Sequence, residues 1–137
     1  MSQEIQEKYA QFQMIEQHIE QITGHIQMIS EQSLDIEKTR DSLNDLANSK
    51  TGSTMLAPIA NGIFVRAKLE NTEKLMINVG SDTVVEKTVP QVIVLLEEQE
   101  DNLTNKLIEA QTILDQLNQQ ANDLYAQIEL QSVGKKE

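Results

Sequence analysis

From its N-terminus the chain repeats apolar residues at seven-residue spacing, at Ile5, Phe12, Ile19 and Ile26. A second file, Ile15, Ile22, Ile29, Ile36 and Leu43, is interleaved at alternating three- and four-residue offsets. Beyond the middle of the chain, Ile93, Leu107, Leu114 and Ile128 alternate in the same way with Val89, Leu96, Leu103, Leu117 and Leu124. Heptads sustained this long make a narrow apolar stripe on a long helix, and such a stripe is stable only against another helix. The first helix is predicted from Ser2 or Gln3 to about Asn48, roughly 70 Å at the α-helical rise. Its a positions are Ile5, Phe12, Ile19, Ile26, Ser33, Arg40 and Ala47, and its d positions Lys8, Ile15, Ile22, Ile29, Ile36 and Leu43. Gly24 falls on the outer face, where it costs about 1 kcal/mol against Ala.

The segment Asn48-Ser49-Lys50-Thr51-Gly52-Ser53 ends the helix, and the period then changes from 3.5 to 2. Ile63, Val65, Ala67 and Leu69 share one face of a strand while Arg66 and Lys68 point away; Leu75, Ile77 and Val79 alternate likewise with Met76 and Asn78. Asn61-Gly62 is a hairpin signal because both residues tolerate φ > 0. Glu70 to Glu73 and Gly80-Ser81-Asp82 make two further connections, and strands near Met55–Ala60 and Thr83–Lys87 complete the set. Pro58 confines the first of these to an edge or a bulge.

Thr88 followed by Pro90 and Gln91 is a capping box with proline in the first turn, so a second helix starts here and runs to about Gln131. A frayed tail, 133–137, is expected after it. The chain therefore divides into a first coiled-coil helix over 1–49, a β insert over 50–87, a second coiled-coil helix over 88–132 and the tail, all one structural domain. The insert returns the chain, so the two helices share a seam only by folding back antiparallel. With Ala47 set opposite Val89, Ile26 faces Ala110 and Ile15 faces Ala121, large against small. Arg40 then meets Leu96 and Ile36 meets Glu100, which brings the two seam charges, Arg40 and Glu100, within reach of each other.

Four strands from so short an insert cannot bury their own apolar face, and a small sheet with open edges is marginal and sticky. The insert predicts assembly, with strands of several copies or partners closing into a shared barrel. Ile63, Val65, Leu69, Leu75, Ile77 and Val79 are the expected assembly residues. The fold class is α+β, mainly α: a long antiparallel two-helix coiled coil carrying a two-hairpin, four-strand insert that oligomerises into a β-barrel platform.

Composition narrows the function. A formal net charge of −11 disfavours nucleic acid, which needs clustered cations. The chain has no cysteine, which excludes disulfides, thiol catalysis and Cys-ligated zinc and fits a reducing compartment. The polar N-terminus lacks an apolar signal core and no run approaches the ~20 apolar residues that cross a membrane, so a cytoplasmic location is expected. The abundant Gln and Asn suit a moderate-temperature source.

No enzyme or cofactor signature emerges. His18 and His25 are seven apart beside the seam and cannot chelate one metal together. Glu97, Glu98, Glu100 and Asp101 spread round a helix as a solvated face. Met14 and Met28 point outward, either as tolerated surface methionines or as a second packing surface.

The run Gly52 to Leu69 (GSTMLAPIANGIFVRAKL), followed by Leu75 to Lys87 (LMINVGSDTVVEK) and flanked by two heptad helices, resembles the α-class subunit of prefoldin. The resemblance covers the whole chain, and its specific part is Gly52 to Lys87. Two hairpins rather than one imply the α class, and Asn61 replaces the small residue that α subunits commonly carry before the turn glycine. The resemblance implies an α2β4 hexamer with prefoldin β-class subunits, a double β-barrel platform and six coiled-coil tentacles. It implies an ATP-independent holdase that captures unfolded polypeptides at the tentacle tips and passes them to a group II chaperonin.

Tyr9, Phe12 and Tyr125 all lie near the open helix ends, the two tyrosines flanking the seam. The residues alone are satisfied by ordinary closure of the seam through Phe12, Leu124 and Ile128, with the tyrosines beside it. The resemblance favours a second reading, in which Ile5, Tyr9, Phe12, Leu124, Tyr125 and Ile128, with Leu130 and Val133, splay apart to offer apolar surface to clients. Lys8, opposite Ile128, is expected to weaken this last layer. A passive coiled-coil scaffold or adaptor is the alternative function, and a nucleic-acid-binding small barrel is disfavoured by charge.

Overall fold

The computed structural model describes residues 3–134. Helix α1 spans Gln3–Asn48, strands β1 to β4 span Thr54–Ala60, Ile63–Lys68, Lys74–Asn78 and Val84–Thr88, and helix α2 spans Val89–Gly134. Of the tail expected at 133–137, residues 133 and 134 continue α2 and 135–137 lie outside the described residues, as does Ser2. The chain falls into two compact units, one of Met1–Ser33 with Asn102–Glu137 and one of Leu34–Asp101.

The first unit is an antiparallel helix pair. Along α1 the buried or half-buried residues are Ile5, Lys8, Phe12, Ile15, Ile19, Ile22, Ile26, Ile29 and Ser33, alternating by three and four. Along α2 they are Leu103, Leu107, Ala110, Leu114, Leu117, Ala121, Leu124, Ile128 and Gln131. The spacing is that of a coiled-coil seam, and no third layer covers the outer faces. Ala110 and Ala121 are both buried, the small residues that let large ones interdigitate. Gly24 is outward, with open space where a Cβ would stand.

In the second unit Ile36, Arg40, Leu43 and Leu46 line the inner stripe of α1, and Val89, Val92, Ile93, Leu96 and Glu100 that of α2. The expected place of Ala47 is taken by Leu46, and Ala47 is exposed. Covering a leucine removes several more methyl and methylene groups from water than covering an alanine, so the final turn turns its larger side chain inward. The Ser49 side chain donates to the Asp45 carbonyl at 2.8 Å at the helix end. At the start of α2 the Gln91 N–H donates to Thr88 Oγ1 at 3.3 Å, and the Thr88 N–H donates to Gln91 Oε1 at 3.0 Å. These reciprocal bonds form a capping box that satisfies two amides no helical carbonyl can reach.

The strands make two separate antiparallel sheets, β1–β2 and β3–β4, and no barrel closes among the described residues. The β1–β2 register slips between Pro58 and Ala60, leaving Ile59 as a bulge beside the proline. The hairpin turn expected at Asn61-Gly62 joins β1 to β2, with Ala60 paired to Ile63 across it. Of Asn61 and Gly62 only Gly62 takes positive φ, at 79°, while Ser81 and Asp82 take φ of 50° and 57°. The Thr83 N–H donates to the Gly80 carbonyl at 2.9 Å across Ser81 and Asp82, so the mirror-type turn joins β3 to β4. The bulge at Ile59 supplies the twist that joins β1 to β2 without such a turn.

Candidate functional site

At the helix ends of the first unit Ile5 is 3% exposed and Ile128 is 7% exposed, and Phe12 and Leu124 are half-buried. The expected splaying of these residues is not what the structure shows. Their apolar side chains gain more against each other than against water, and they close the layer. Lys8 does not open it either, because its ammonium reaches out to Glu4 at 3.9 Å while its stem stays half-buried. Gln131 donates to Glu4 across the pair at 3.5 Å.

The aromatic residues behave differently. The Phe12 and Tyr125 rings are tilted at 42° with centroids 6.1 Å apart, in the range where aromatic edges and faces attract. Tyr9 is nevertheless 48% exposed and Tyr125 is 53% exposed, and Leu130 stands out at 74%. The Val133 side chain lies outside the described residues. Hydrogen bonding and charge from the Glu129 carboxylate push the Tyr125 pKa above the ordinary tyrosine value. The end of the pair thus has a closed aliphatic layer flanked by exposed aromatic and aliphatic side chains.

The hairpins expose more. Ile63, Val65 and Val79 are exposed, and Leu69, Leu75 and Ile77 are half-buried. Their opposite faces add exposed Leu56, Ile59, Phe64, Met76 and Val84, which alternation alone had not marked because mixed polar neighbours mask them in the sequence. So much apolar surface on sheets of two strands is an interface in waiting.

Arg40 is brought to two acids of α2, with Nη1 donating to Glu100 Oε2 at 2.9 Å and Nη2 to Glu97 Oε1 at 3.4 Å. The hydrogen bond to Glu100 and its charge hold the Arg40 pKa above its already high value. Further along the first unit an open groove of about 280 Å³ is lined by Gln11, Met14, Ile15, His18, Leu117 and Gln120. Among the described residues no cluster of His, Cys, Asp or Glu is arranged to hold a metal, and no helix is long and apolar enough to cross a membrane.

Two seam-forming helices joined by hairpins with uncovered apolar faces define a coiled-coil assembly subunit. The chain belongs to the prefoldin family: residues 15–134 match the family model described as Prefoldin subunit. It is 29% identical over 94 residues to Prefoldin subunit alpha of Methanococcus aeolicus, covering 69% of this chain and 63% of that relative. To Prefoldin subunit alpha of Methanococcus maripaludis strain C5 it is 28% identical over 113 residues, covering 81% and 76%. Among solved structures it is similar to a filamentous PFD from Methanocaldococcus jannaschii, with a TM-score of 0.74, 19% identity and coverage of 89% and 98%. It is also similar to the prefoldin beta subunit from Thermococcus strain KS-1, with a TM-score of 0.61, 14% identity and coverage of 93% and 90%. The family is one of chaperones rather than enzymes, and the two Methanococcus relatives are α subunits.

Proposed function

We propose that the chain is the α subunit of a hetero-oligomeric, ATP-independent holdase. Its hairpins join those of β-class subunits in a shared barrel platform of an α2β4 hexamer. Its helix ends capture unfolded polypeptides in the cytoplasm and deliver them to a group II chaperonin. The observation that carries this reading is the presence of two kinds of uncovered apolar surface, one in each unit. The hairpin faces are broad and carry Ile63, Val65, Leu69, Leu75, Ile77 and Val79, as an assembly surface requires. Among the described residues the helix end displays Tyr9, Tyr125 and Leu130 around a closed layer, enough to grip an unfolded chain weakly without self-association. Several such ends acting together hold a client through effective concentration. The test is suppression of aggregation of a denatured protein, followed by light scattering without ATP, with and without a co-expressed β-class subunit. Protection by the assembly supports the holdase; an assembly that leaves aggregation untouched is a scaffold.

A further inference from the structure

Asn61 is the one asparagine of the sequence that is followed by glycine, and it sits exposed in the turn between β1 and β2. An asparagine side-chain amide can be attacked by its own chain, because the backbone nitrogen of the next residue lies one ring closure away from Cγ. Folding prevents the attack in three ways: a hydrogen bond occupies that nitrogen, a hydrogen bond pins the side chain, or a bulky next residue shields the approach. None of them operates at Asn61. Among the described residues no hydrogen bond engages the Gly62 N–H or the Asn61 side chain. Gly62 has no side chain, and nothing stands within 4 Å of the place a Cβ would take.

The other asparagines are restrained. Asn44, Asn102, Asn105, Asn118 and Asn122 lie inside helices, where the following N–H donates along the helix. Asn48 ends α1, and the Ser49 N–H donates to the Leu46 carbonyl at 3.1 Å. Asn71 Oδ1 accepts the Glu73 N–H at 2.7 Å and the Lys74 N–H at 3.3 Å. Asn78 Oδ1 accepts the Gly80 N–H at 2.9 Å, while the Val79 N–H donates to the Thr83 carbonyl at 2.9 Å. Asn71 and Asn78 thus brace the β3–β4 hairpin through their side chains, whereas Asn61 is left chemically open.

We infer that Asn61-Gly62 is a self-modifying site that limits how long the β1–β2 hairpin stays fit to assemble. The Gly62 nitrogen gives its proton to solvent base and attacks Asn61 Cγ. The Cγ–Nδ2 bond breaks, and Nδ2 takes up a proton and leaves as ammonia. Water then opens the cyclic imide. Attack at Cγ restores the normal backbone with aspartate at 61, and attack at the backbone carbonyl carbon leaves isoaspartate, whose backbone is one carbon longer. The sum is amide plus water giving acid plus ammonia, so no oxidant or enzyme is needed. Either product sets a carboxylate among exposed Ile59, Ile63 and Phe64, and the longer backbone disturbs the Ala60–Ile63 pair. That charge has to be desolvated when the face is covered, so the aged hairpin is a poorer interface. The loss of assembly rests on the platform reading and adds a lifetime to it.

The test incubates the full chain at mildly alkaline pH and maps its peptides by mass. The peptide holding residue 61 should gain the difference between amide and acid several-fold faster than those holding Asn48, Asn71 or Asn78, and faster still as pH rises. Unfolding in denaturant should speed Asn71 and Asn78 far more than Asn61. If the fold slows Asn61 as strongly as it slows Asn71 and Asn78, the site is overturned. Asn61→Gln, whose ring would need one more atom, should stay unmodified, and it fits because residue 61 does not take positive φ. The incubated chain is then mixed with a β-class subunit and separated by size. Modified chains should be enriched several-fold in the unassembled fraction, while incubated Asn61→Gln chains assemble like fresh ones. Modified chains spread evenly between the fractions overturn the lifetime and leave the platform reading standing. That reading falls only if fresh chain also fails to assemble.

Discussion

Arg40 Nη1 donates to Glu100 Oε2 at 2.9 Å from the inner stripes of α1 and α2, where every heptad neighbour except Ser33 is apolar. Both side chains are partly covered, at 33% and 26% exposure. An Arg–Glu pair in a seam adds little over an apolar pair but penalises any slip that separates the charges, so its strongest effect is on register.

Reversing either charge should lower the melting temperature by a few degrees, and reversing both should recover part of the loss. Glu97→Gln alone should matter less, its bond to Arg40 being 3.4 Å long and at a more exposed carboxylate. A double-mutant cycle followed by circular dichroism checks this, and the coupling should shrink as salt is raised. Purely additive single effects would mean that the pair does not act as one.

The helices, their inner stripes and the strand count were legible because each rests on a period that nothing else in the chain mimics. The inner stripe follows the heptad from Ile5 to Leu43, and Arg40 meets Glu100. The misses are where a local choice decided. Leu46 displaced Ala47 in the final turn, and the positive φ of Ser81 and Asp82 was not marked by their residue types, although both hairpin connections fell where expected. Whether Ile5 and Ile128 close or splay was not legible at all, since the same residues satisfy both arrangements.

Gly24→Ala should stabilise the protein by about 1 kcal/mol. The position is helical and outward with nothing within 4 Å of a new Cβ, so the change removes backbone freedom from the unfolded chain and adds no clash. Chemical denaturation checks it. A destabilised variant would show that a bend at Gly24 is needed.

Tyr125 should ionise at higher pH than an ordinary tyrosine, because Glu129 favours the neutral phenol and a phenolate would place two negative charges together. With the folded pKa raised, the associated stability is complete below the unfolded value near 10 and is lost as pH rises through the folded value. Glu129→Gln should bring the transition back down, read by ultraviolet difference absorbance. An unchanged titration would remove Glu129 as the cause.

Val65→Asp with Ile77→Asp should prevent assembly while sparing the helices. Each new carboxylate would have to be desolvated in the shared interface, at a cost of several kcal/mol without a partner. Size-exclusion chromatography should show small species whose far-ultraviolet circular dichroism is still helical. An assembly of the original size would mean that the hairpin faces are not the contact.

The tip surface can be tested without disturbing the seam, because Tyr9, Tyr125 and Leu130 are exposed whereas Ile5 and Ile128 are not. Replacing the three exposed residues with serine removes displayed apolar area and leaves the aliphatic layer closed, apart from the Phe12–Tyr125 ring contact. Folding and assembly should persist, and client aggregation should accelerate several-fold in light scattering. Truncation before Phe12 and after Asp123 should weaken protection at least as much. Both losses should be larger for long unfolded clients, which bridge several tips, than for short ones. If the triple variant protects as well as the parent chain, the grip lies elsewhere. The groove lined by Met14, Ile15 and Leu117 is then the surface to remove next, since it is an apolar concavity on the same helix pair.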